Sequence, residues 1–220
     1  SSYRKDIFPE YKANRKVKYA EQTPQEEKEF AMFMAEFSNT LTLLKEKYPV
    51  FQFKGVEADD IAAYITQHLD DYGLDECWMV SSDRDWDLLI SDRVSRFSTV
   101  TRKEITLDNW DEHYDFDVSD YITFKCLCGD KGDNVPGIPG IGPKRAVQLM
   151  EQYGDVFDIY NACPIEGKYK FIQSLNENAE QLLINVELMD LVTYSETAIG
   201  VKNTEVINTT LKRHLNENRL

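Results

Sequence analysis

The segment Asp130-Lys131-Gly132-Asp133-Asn134-Val135-Pro136-Gly137-Ile138-Pro139-Gly140-Ile141-Gly142-Pro143-Lys144-Arg145 carries the densest chemistry in this chain. Two carboxylates stand just ahead of a glycine-rich turn, and the turn runs into a predicted helix. Glycine lets backbone N–H groups approach a ligand closely. A helix N-terminus adds unpaired donors and partial positive charge, which suit a phosphate. Lys144 and Arg145 fall in the first helical turn, where the macrodipole disfavours cations unless an anion docks there. The segment thus reads as metal-binding acids beside a phosphate clamp.

Two further acidic groups share that character. Gly55-Val56-Glu57-Ala58-Asp59-Asp60 follows the strand-like run Val50–Phe53, and Ser81-Ser82-Asp83-Arg84-Asp85 follows the run Cys77–Val80. In an open α/β sheet, ligands gather outside the carboxyl ends of strands, so these groups are predicted to converge. Glu57, Asp59, Asp60, Asp83, Asp85, Asp130 and Asp133 in one crevice would repel one another unless cations were present. Mg²⁺ or Mn²⁺ prefers such oxygen ligands, with phosphates completing the shell. Two metals about 4 Å apart can activate a water and stabilise a leaving oxygen in phosphodiester hydrolysis. Individually, Asp59, Asp60 and Asp83 read equally well as helix caps. Asp130 follows a predicted helix end, where the dipole disfavours an acid, although a turn with Gly129 or Gly132 is open to it.

The elements that must position these groups are legible in the hydrophobic pattern. Residues 1–24 read as a basic loop or irregular arm. Phe30, Phe33, Met34, Phe37, Leu41, Leu44 and Tyr48 recur at helical spacing and predict a long amphipathic helix from Gln25 that ends before Pro49. Ile61, Ala62, Ile65 and Leu69 predict a helix with one face inward. Strand-like runs at Ser95–Val100 and Glu104–Leu107 are joined in hairpin fashion through Thr101-Arg102-Lys103. Helical signals then dominate at Trp110–Tyr114, Tyr121–Cys128, Arg145–Gln152 and Glu177–Asp190, and the last twenty or so residues carry little signal. The expected fold class is α/β: a mainly parallel central sheet flanked by helices over 1–108, followed by a helical subdomain over 109–220.

Composition bounds the functional classes. The chain has 220 residues, 42% of them apolar, so a substantial core is feasible. No apolar run approaches the ~18 residues of a membrane span. Cys77, Cys126, Cys128 and Cys163 form no CxxC pair and read as core thiols of a reducing compartment. The net charge of −14 argues at first against nucleic acid. Its distribution answers that objection: residues 1–18 hold six cations against two acids, and residues 54–92 hold eleven acids against Lys54 and Arg84.

These motifs together resemble the structure-specific 5′ nucleases, the flap endonucleases and 5′→3′ exonucleases, most closely bacteriophage members of the T-five type. GVEADD, SSDRDWD, GDKGDN, the GIPGIGPKRA hairpin and FPEYKANR near the start match that pattern in order and approximate spacing, from about residue 1 to at least 190. The resemblance implies that Glu57, Asp59, Asp60 and Asp83 hold one Mg²⁺ or Mn²⁺ and that Asp85, Asp130 and Asp133 hold a second. It implies that Lys12 and Arg15 contact the scissile phosphate at the base of a helical arch and that Tyr11 occupies a position able to stack on a base, although Tyr11 reads equally as a packing residue; Lys125, close to Asp130 and Asp133 in sequence, is a further candidate to help. Gly137, Gly140, Gly142, Lys144 and Arg145 would belong to a helix–three-turn–helix element gripping duplex backbone. A K⁺ ion under the hairpin carbonyls is compatible with the sequence and not required by it. The implied substrate is DNA with a 5′ flap or a 5′ single-strand/duplex junction, and the implied protein is a monomer acting in the cytoplasm, a phage host's if phage-encoded, with no membrane partner. Family members also carry an early strand ending in aspartate and a further aspartate before the basic motif. Neither has a counterpart here, so the expectation is that about 70 residues precede this sequence, a length within one domain's range. Two rival readings remain open on residues alone: a DNA-binding module whose acids are caps and surface charge, and a Mg²⁺ phosphatase acting on small phosphates.

Overall fold

The computed structural model describes residues 2–218. The first stretch is helical, not the irregular arm that its polar composition suggests: α1 spans Arg4–Ile7 and α2 spans Ala13–Ala20. The long helix α3, Pro24–Lys45, begins where expected. Thr23 and Glu26 close a reciprocal capping box, and Pro24 occupies the first helical position with a preset φ. Its apolar face does not pack: α3 has no buried residue, and Phe30, Phe33, Met34 and Phe37 are exposed.

Val50–Phe53 forms no strand, against expectation. Phe51 and Phe53 instead pack beside Ile61, Tyr64, Ile199 and Ile207 in a small apolar cluster. The helices α4 (Ala58–Gln67) and α5 (Leu69–Tyr72) follow, then β1 (Cys77–Val80). A 3₁₀ helix at Arg84–Leu89 crosses to β2 (Val94–Ser98), which pairs parallel with β1 in the register Cys77↔Val94. The predicted hairpin then returns as β3 (Lys103–Ile105), antiparallel to β2. The sheet is therefore three strands in the order β1-β2-β3.

The remainder is helical. The helix α6 spans Tyr121–Cys128, and the short strands β4 (Gly129–Asp130) and β5 (Val135–Pro136) fold back on each other. Five helices follow: α7 (Pro143–Tyr153), α8 (Val156–Ala162), α9 (Lys170–Glu177), α10 (Ala179–Met189) and α11 (Leu191–Ile199). The weak-signal tail is the helix α12, Val201–Asn218. Leu127, Ile138, Leu149, Ile159, Leu175 and Leu182 form the core of this half. The two halves interlock, because α11 packs along α4 and α1 packs on α10.

Buried polar anchors set the angles between these elements. Asn185 of α10 donates from Nδ2 to the carbonyls of Cys126 (2.9 Å) and Pro136 (2.8 Å), joining three segments. On β2, strand alternation turns Arg96 inward. There its Nη2 donates to Asp87 Oδ2 at 2.9 Å, and the Tyr114 hydroxyl also donates to Asp87. Arg96 is 3% exposed and Asp87 fully buried. Removing one member strands the other charge in a low dielectric. Asp87→Ala is therefore expected to cost about 3–5 kcal/mol in urea denaturation, and Asp87→Ala with Arg96→Met should recover much of that loss. A single variant as stable as the parent would contradict this account.

Candidate nuclease site

Three structural devices bring the acids together. Glu57 and Asp59 sit at the N-terminal turn of α4. Asp83 and Asp85 leave the carboxyl end of β1, and Asp83 caps the 3₁₀ helix by accepting from the Asp85 amide at 3.0 Å. Asp130 and Asp133 lie on the turn between β4 and β5, where Asp130 Oδ1 accepts from the amides of Gly132 (2.8 Å) and Asp133 (3.1 Å). All six carboxylates line one crevice of about 700 Å³.

Two of the cations predicted beside them, Lys12 and Arg15, line the same crevice. Lys12 has a left-handed backbone (φ 55°), rare for a residue with a Cβ. Its amide donates to the Asp133 carbonyl at 2.8 Å, and its Nζ pairs with Glu57 and lies 3.4 Å from Asp133 Oδ2. Arg15 Nη2 reaches Asp133 Oδ1 at 2.7 Å from a half-exposed position at the rim. Lys125 lies deeper, 7% exposed, and its Nζ bridges Asp85 and Asp130. It lies beside the acidic pair, as expected, and in this geometry it is the counter-ion of Asp85 and Asp130.

Two expectations need correcting. Asp60 is 1% exposed and faces away from the crevice, with both oxygens held by the guanidinium of Arg4 at 2.7 and 2.9 Å. Asp60 is thus a partner of Arg4 and does not line the crevice with the other six acids. Tyr11 is 3% exposed, so its ring cannot stack on a base. Its hydroxyl lies 2.9 Å from Asp133 Oδ2 and 3.2 Å from Glu57 Oε2, donating to one at a time. The partner roles of Arg4 and Tyr11 had no sequence signal, because both sit in a polar segment without apolar period. Trp86 packs its ring against the apolar cluster around Leu89 and Trp110 and donates Nε1–H to Asp59 Oδ1 at 2.8 Å.

The electrostatics divide the acids. Burial pushes Glu57 up, but Lys12 and Arg4 outweigh it and hold the carboxyl below its ordinary range. Asp130 behaves alike: burial is outweighed by Lys125 and the two turn amides. Asp59 and Asp85 go the other way, since burial raises both and neither Trp86 nor Lys125 cancels it. Burial disfavours the Lys125 ammonium, yet Asp85 and Asp130 raise its pKa.

Among the described residues, no three His, Cys, Asp or Glu side chains lie close enough together to hold one metal ion. Lys12 and Lys125 stand between the carboxylates. The donor set nonetheless fits hard divalent cations, being oxygen throughout, and Glu57 Oε1 is buried with no hydrogen-bond partner, its nearest cation being Arg4 Nη1 at 3.6 Å. A divalent ion entering here competes with the ammonium groups for the same oxygens.

The hairpin shows three distinct uses of glycine. Gly137 is packed against the end of α6, where a Cβ would lie 2.3 Å from the Cys128 carbonyl, so its role is close backbone approach within the chain. Gly140 has φ 81°, the left-handed region that favours glycine. Gly142 has open space where a Cβ would be, and it precedes α7, whose N-terminus no side chain caps. Lys144 is exposed beside these open amides. Arg145 donates to the Gly140 carbonyl and lies over the Phe171 ring at 4.6 Å, which braces the hairpin.

Carboxylates gathered beside a helix hairpin with open amides are, in class, the equipment of a nuclease. Residues 1–115 match the N-terminal resolvase-like domain of the 5′–3′ exonucleases, and residues 116–212 match their C-terminal SAM fold. The chain belongs to the 5′–3′ exonuclease family. It is 42% identical over 209 residues to the flap endonuclease of Escherichia phage T5, covering 94% of this chain and 72% of the relative. It is 32% identical over 192 residues to DNA polymerase I of Rhizobium leguminosarum, covering 87% of this chain but only 18% of that longer protein. Its fold superposes on the T5 5′-exonuclease bound to zinc ions with a TM-score of 0.90 at 40% identity, covering 98% of this chain and 80% of the other. For the T5 flap endonuclease in a pseudo-enzyme–product complex with DNA and metal ions, the TM-score is 0.92 at 38% identity, with the same coverage. Membership sets aside the readings as a non-enzymatic binding module or a small-phosphate phosphatase.

The raised Asp59 carboxyl gives a stability prediction. Its folded-state pKa lies above the unfolded value, so the ionised group costs stability at any pH above both, and the cost fades as pH falls toward the ordinary ~3.9. With a chelator present, Asp59→Asn should therefore stabilise the protein at neutral pH by about 0.5–2 kcal/mol, and the gain should vanish near about pH 3. Thermal melts at the two pH values check this, and no gain at neutral pH would refute it.

Proposed function

We propose that this chain hydrolyses phosphodiester bonds of DNA at 5′ flaps and 5′ single-strand/duplex junctions, as a monomer, using two Mg²⁺ or Mn²⁺ ions. The observation that carries this reading is the single crevice in which six carboxylates, Lys12 and Arg15 face the same space. On one side Glu57, Asp59 and Asp83 would hold one ion. On the other, Asp85, Asp130 and Asp133 would hold the second, with Lys125 fixing the spacing of Asp85 and Asp130. When bound, such ions lower the pKa of a water and offset charge on the leaving oxygen.

The chain's own residues do the positioning. Lys12 and Arg15 lie at the crevice mouth, where a backbone phosphate would meet them and exchange their present carboxylate partners for phosphoryl oxygens. Preorganised cations at that point stabilise the charge that develops as water adds to phosphorus and the bridging P–O bond breaks. The leaving alkoxide then takes up a proton. The hairpin at Gly140–Lys144 supports a grip on duplex backbone through the open amides of α7 and the Lys144 ammonium, which reads shape and not sequence. K⁺ beneath the hairpin carbonyls would be a further element of that grip. No helix among the described residues is long and apolar enough to cross a membrane, and a cytoplasmic site of action, the host's for a phage protein, suits a DNA substrate.

Two measurements test the reading. Asp130→Asn with Asp133→Asn should lower cleavage of a 5′-flap substrate in Mg²⁺ by about 100-fold or more, since losing ligands costs at least as much as the 10- to 100-fold typical of losing a ligand's outer partner, while duplex binding persists. Full cleavage by that variant would remove the metal assignment. Separately, Lys144→Ala should weaken duplex binding and flatten its salt dependence by about one unit of slope. An unchanged slope would take the hairpin out of the interface.

A further inference from the structure

We infer that Arg4 is the positioning residue of the crevice: its buried guanidinium fixes the N-terminal turn of α4, and through that turn the metal-facing carboxylate of Glu57. This rests on the metal-dependent reading proposed above.

The geometry is a three-way junction. Arg4 is 2% exposed. Its Nε donates to the Leu188 carbonyl at 2.7 Å, at the C-terminal turn of α10, where unpaired carbonyls and the helix dipole favour a cation. Its Nη1 and Nη2 fork onto the two oxygens of Asp60 at 2.9 and 2.7 Å. Asp60 is the third residue of α4, directly behind Glu57 and Asp59. Nη1 also lies 3.6 Å from Glu57 Oε1, the oxygen that is buried without a hydrogen bond. The neighbouring Tyr3 hydroxyl adds a second tie to the same end of α10, donating to the Glu187 carbonyl at 3.0 Å.

Stability alone does not explain this arrangement. A buried ion pair costs so much desolvation that apolar residues of similar volume usually serve the fold as well or better. The planar fork, by contrast, satisfies three acceptors in fixed directions, which an ammonium or an apolar side chain cannot. What it specifies is the angle at which α4 presents Glu57. Asp60, neutralised in the same contact, is the handle by which that turn is held. Partners that orient a metal ligand without touching the metal typically alter affinity or activity 10- to 100-fold when changed.

The test compares the parent with Arg4→Met/Asp60→Leu, which removes both charges, and with Arg4→Lys, which keeps the charge and loses the fork. Mn²⁺ binding is measured by calorimetry without DNA, duplex affinity in EDTA, and folding by thermal melts. The expected result is Mn²⁺ affinity weakened about 10-fold or more in both variants, with duplex affinity within twofold of the parent. The Mg²⁺ concentration for half-maximal cleavage should rise in step, and excess Mg²⁺ should restore part of the rate. Parent-strength Mn²⁺ binding in either folded variant overturns the proposal, and Arg4→Lys alone decides it if the double variant fails to fold. Absence of Mn²⁺ binding by the parent overturns the metal reading, and this one with it.

Discussion

Like charges repel, and this molecule gathers six carboxylates into one crevice. Two unit charges 4 Å apart interact by about 4 kcal/mol at an effective dielectric of 20, so the arrangement stands only because cations are threaded through it. Lys12 separates Glu57 from Asp133, Arg15 covers the outer oxygen of Asp133, and Lys125 separates Asp85 from Asp130. The compensation is uneven. Asp59 has only an indole N–H for a partner and Asp85 shares its ammonium, and these two carboxyls are raised by burial. The chain therefore holds a residual excess of negative charge in the part of the crevice that divalent ions would occupy. That excess would be a liability for stability and is what a cation site requires.

The apolar clusters bring the helices together but do not determine their angles, since dispersion and burial are largely non-directional. Direction comes from a few buried polar groups that each tie distant segments. Asn185 joins α10 to the end of α6 and to the hairpin, Arg4 joins α10 to α4, and the Asp87–Arg96 pair joins β2 to the 3₁₀ helix that carries Asp85. Each anchor stands one step behind an acid of the crevice. The helix α10 takes part in two of the three, through Asn185 and the Leu188 carbonyl, so the carboxyl-terminal half fixes the position of acids in the first half.

Much of this was legible from sequence because the chemistry is clustered in short motifs. The hairpin, the acids of GVEADD, SSDRDWD and GDKGDN, and the helices at 121–128, 143–153 and 179–189 follow from local pattern and glycine placement. The rest was not, for identifiable reasons. Val50–Phe53 has strand composition, but a strand needs a paired neighbour, and tertiary context packs Phe51 and Phe53 against α4 instead. The short helices at the start are too brief and polar to show a 3.6-residue apolar stripe, and in the long one at the end the thin stripe Ile207, Leu211, Leu215 is diluted by polar residues. Asp60 carries the same letter as Asp59. Only the helical turn between them, which aims one into the crevice and the other at Arg4, tells them apart. Tyr11 likewise sits inside a basic motif whose composition suggests exposure, whereas its hydroxyl is needed inside, between two acids.

The position of Asp130 shows how closely the acids and the hairpin are joined. An acid just past the end of α6 faces the negative end of the helix dipole, and two features offset that. Lys125, in the last turns of the same helix, places its ammonium 3.1 Å from Asp130 Oδ2. The chain also turns at once through Gly129, with φ 73°, which folds Asp130 back over the lysine and starts the strand pairing with β5. At Gly129 a Cβ would lie 2.2 Å from the Gly137 nitrogen, and at Gly137 a Cβ would lie 2.7 Å from the Gly129 nitrogen. The first glycine of the hairpin and the glycine before the acid are thus pressed face to face. A side chain at either one would separate the hairpin from the acidic turn. The distance from the glycine hairpin to the crevice is therefore set by direct contact of two backbones, with no flexible side chain between them to absorb a change.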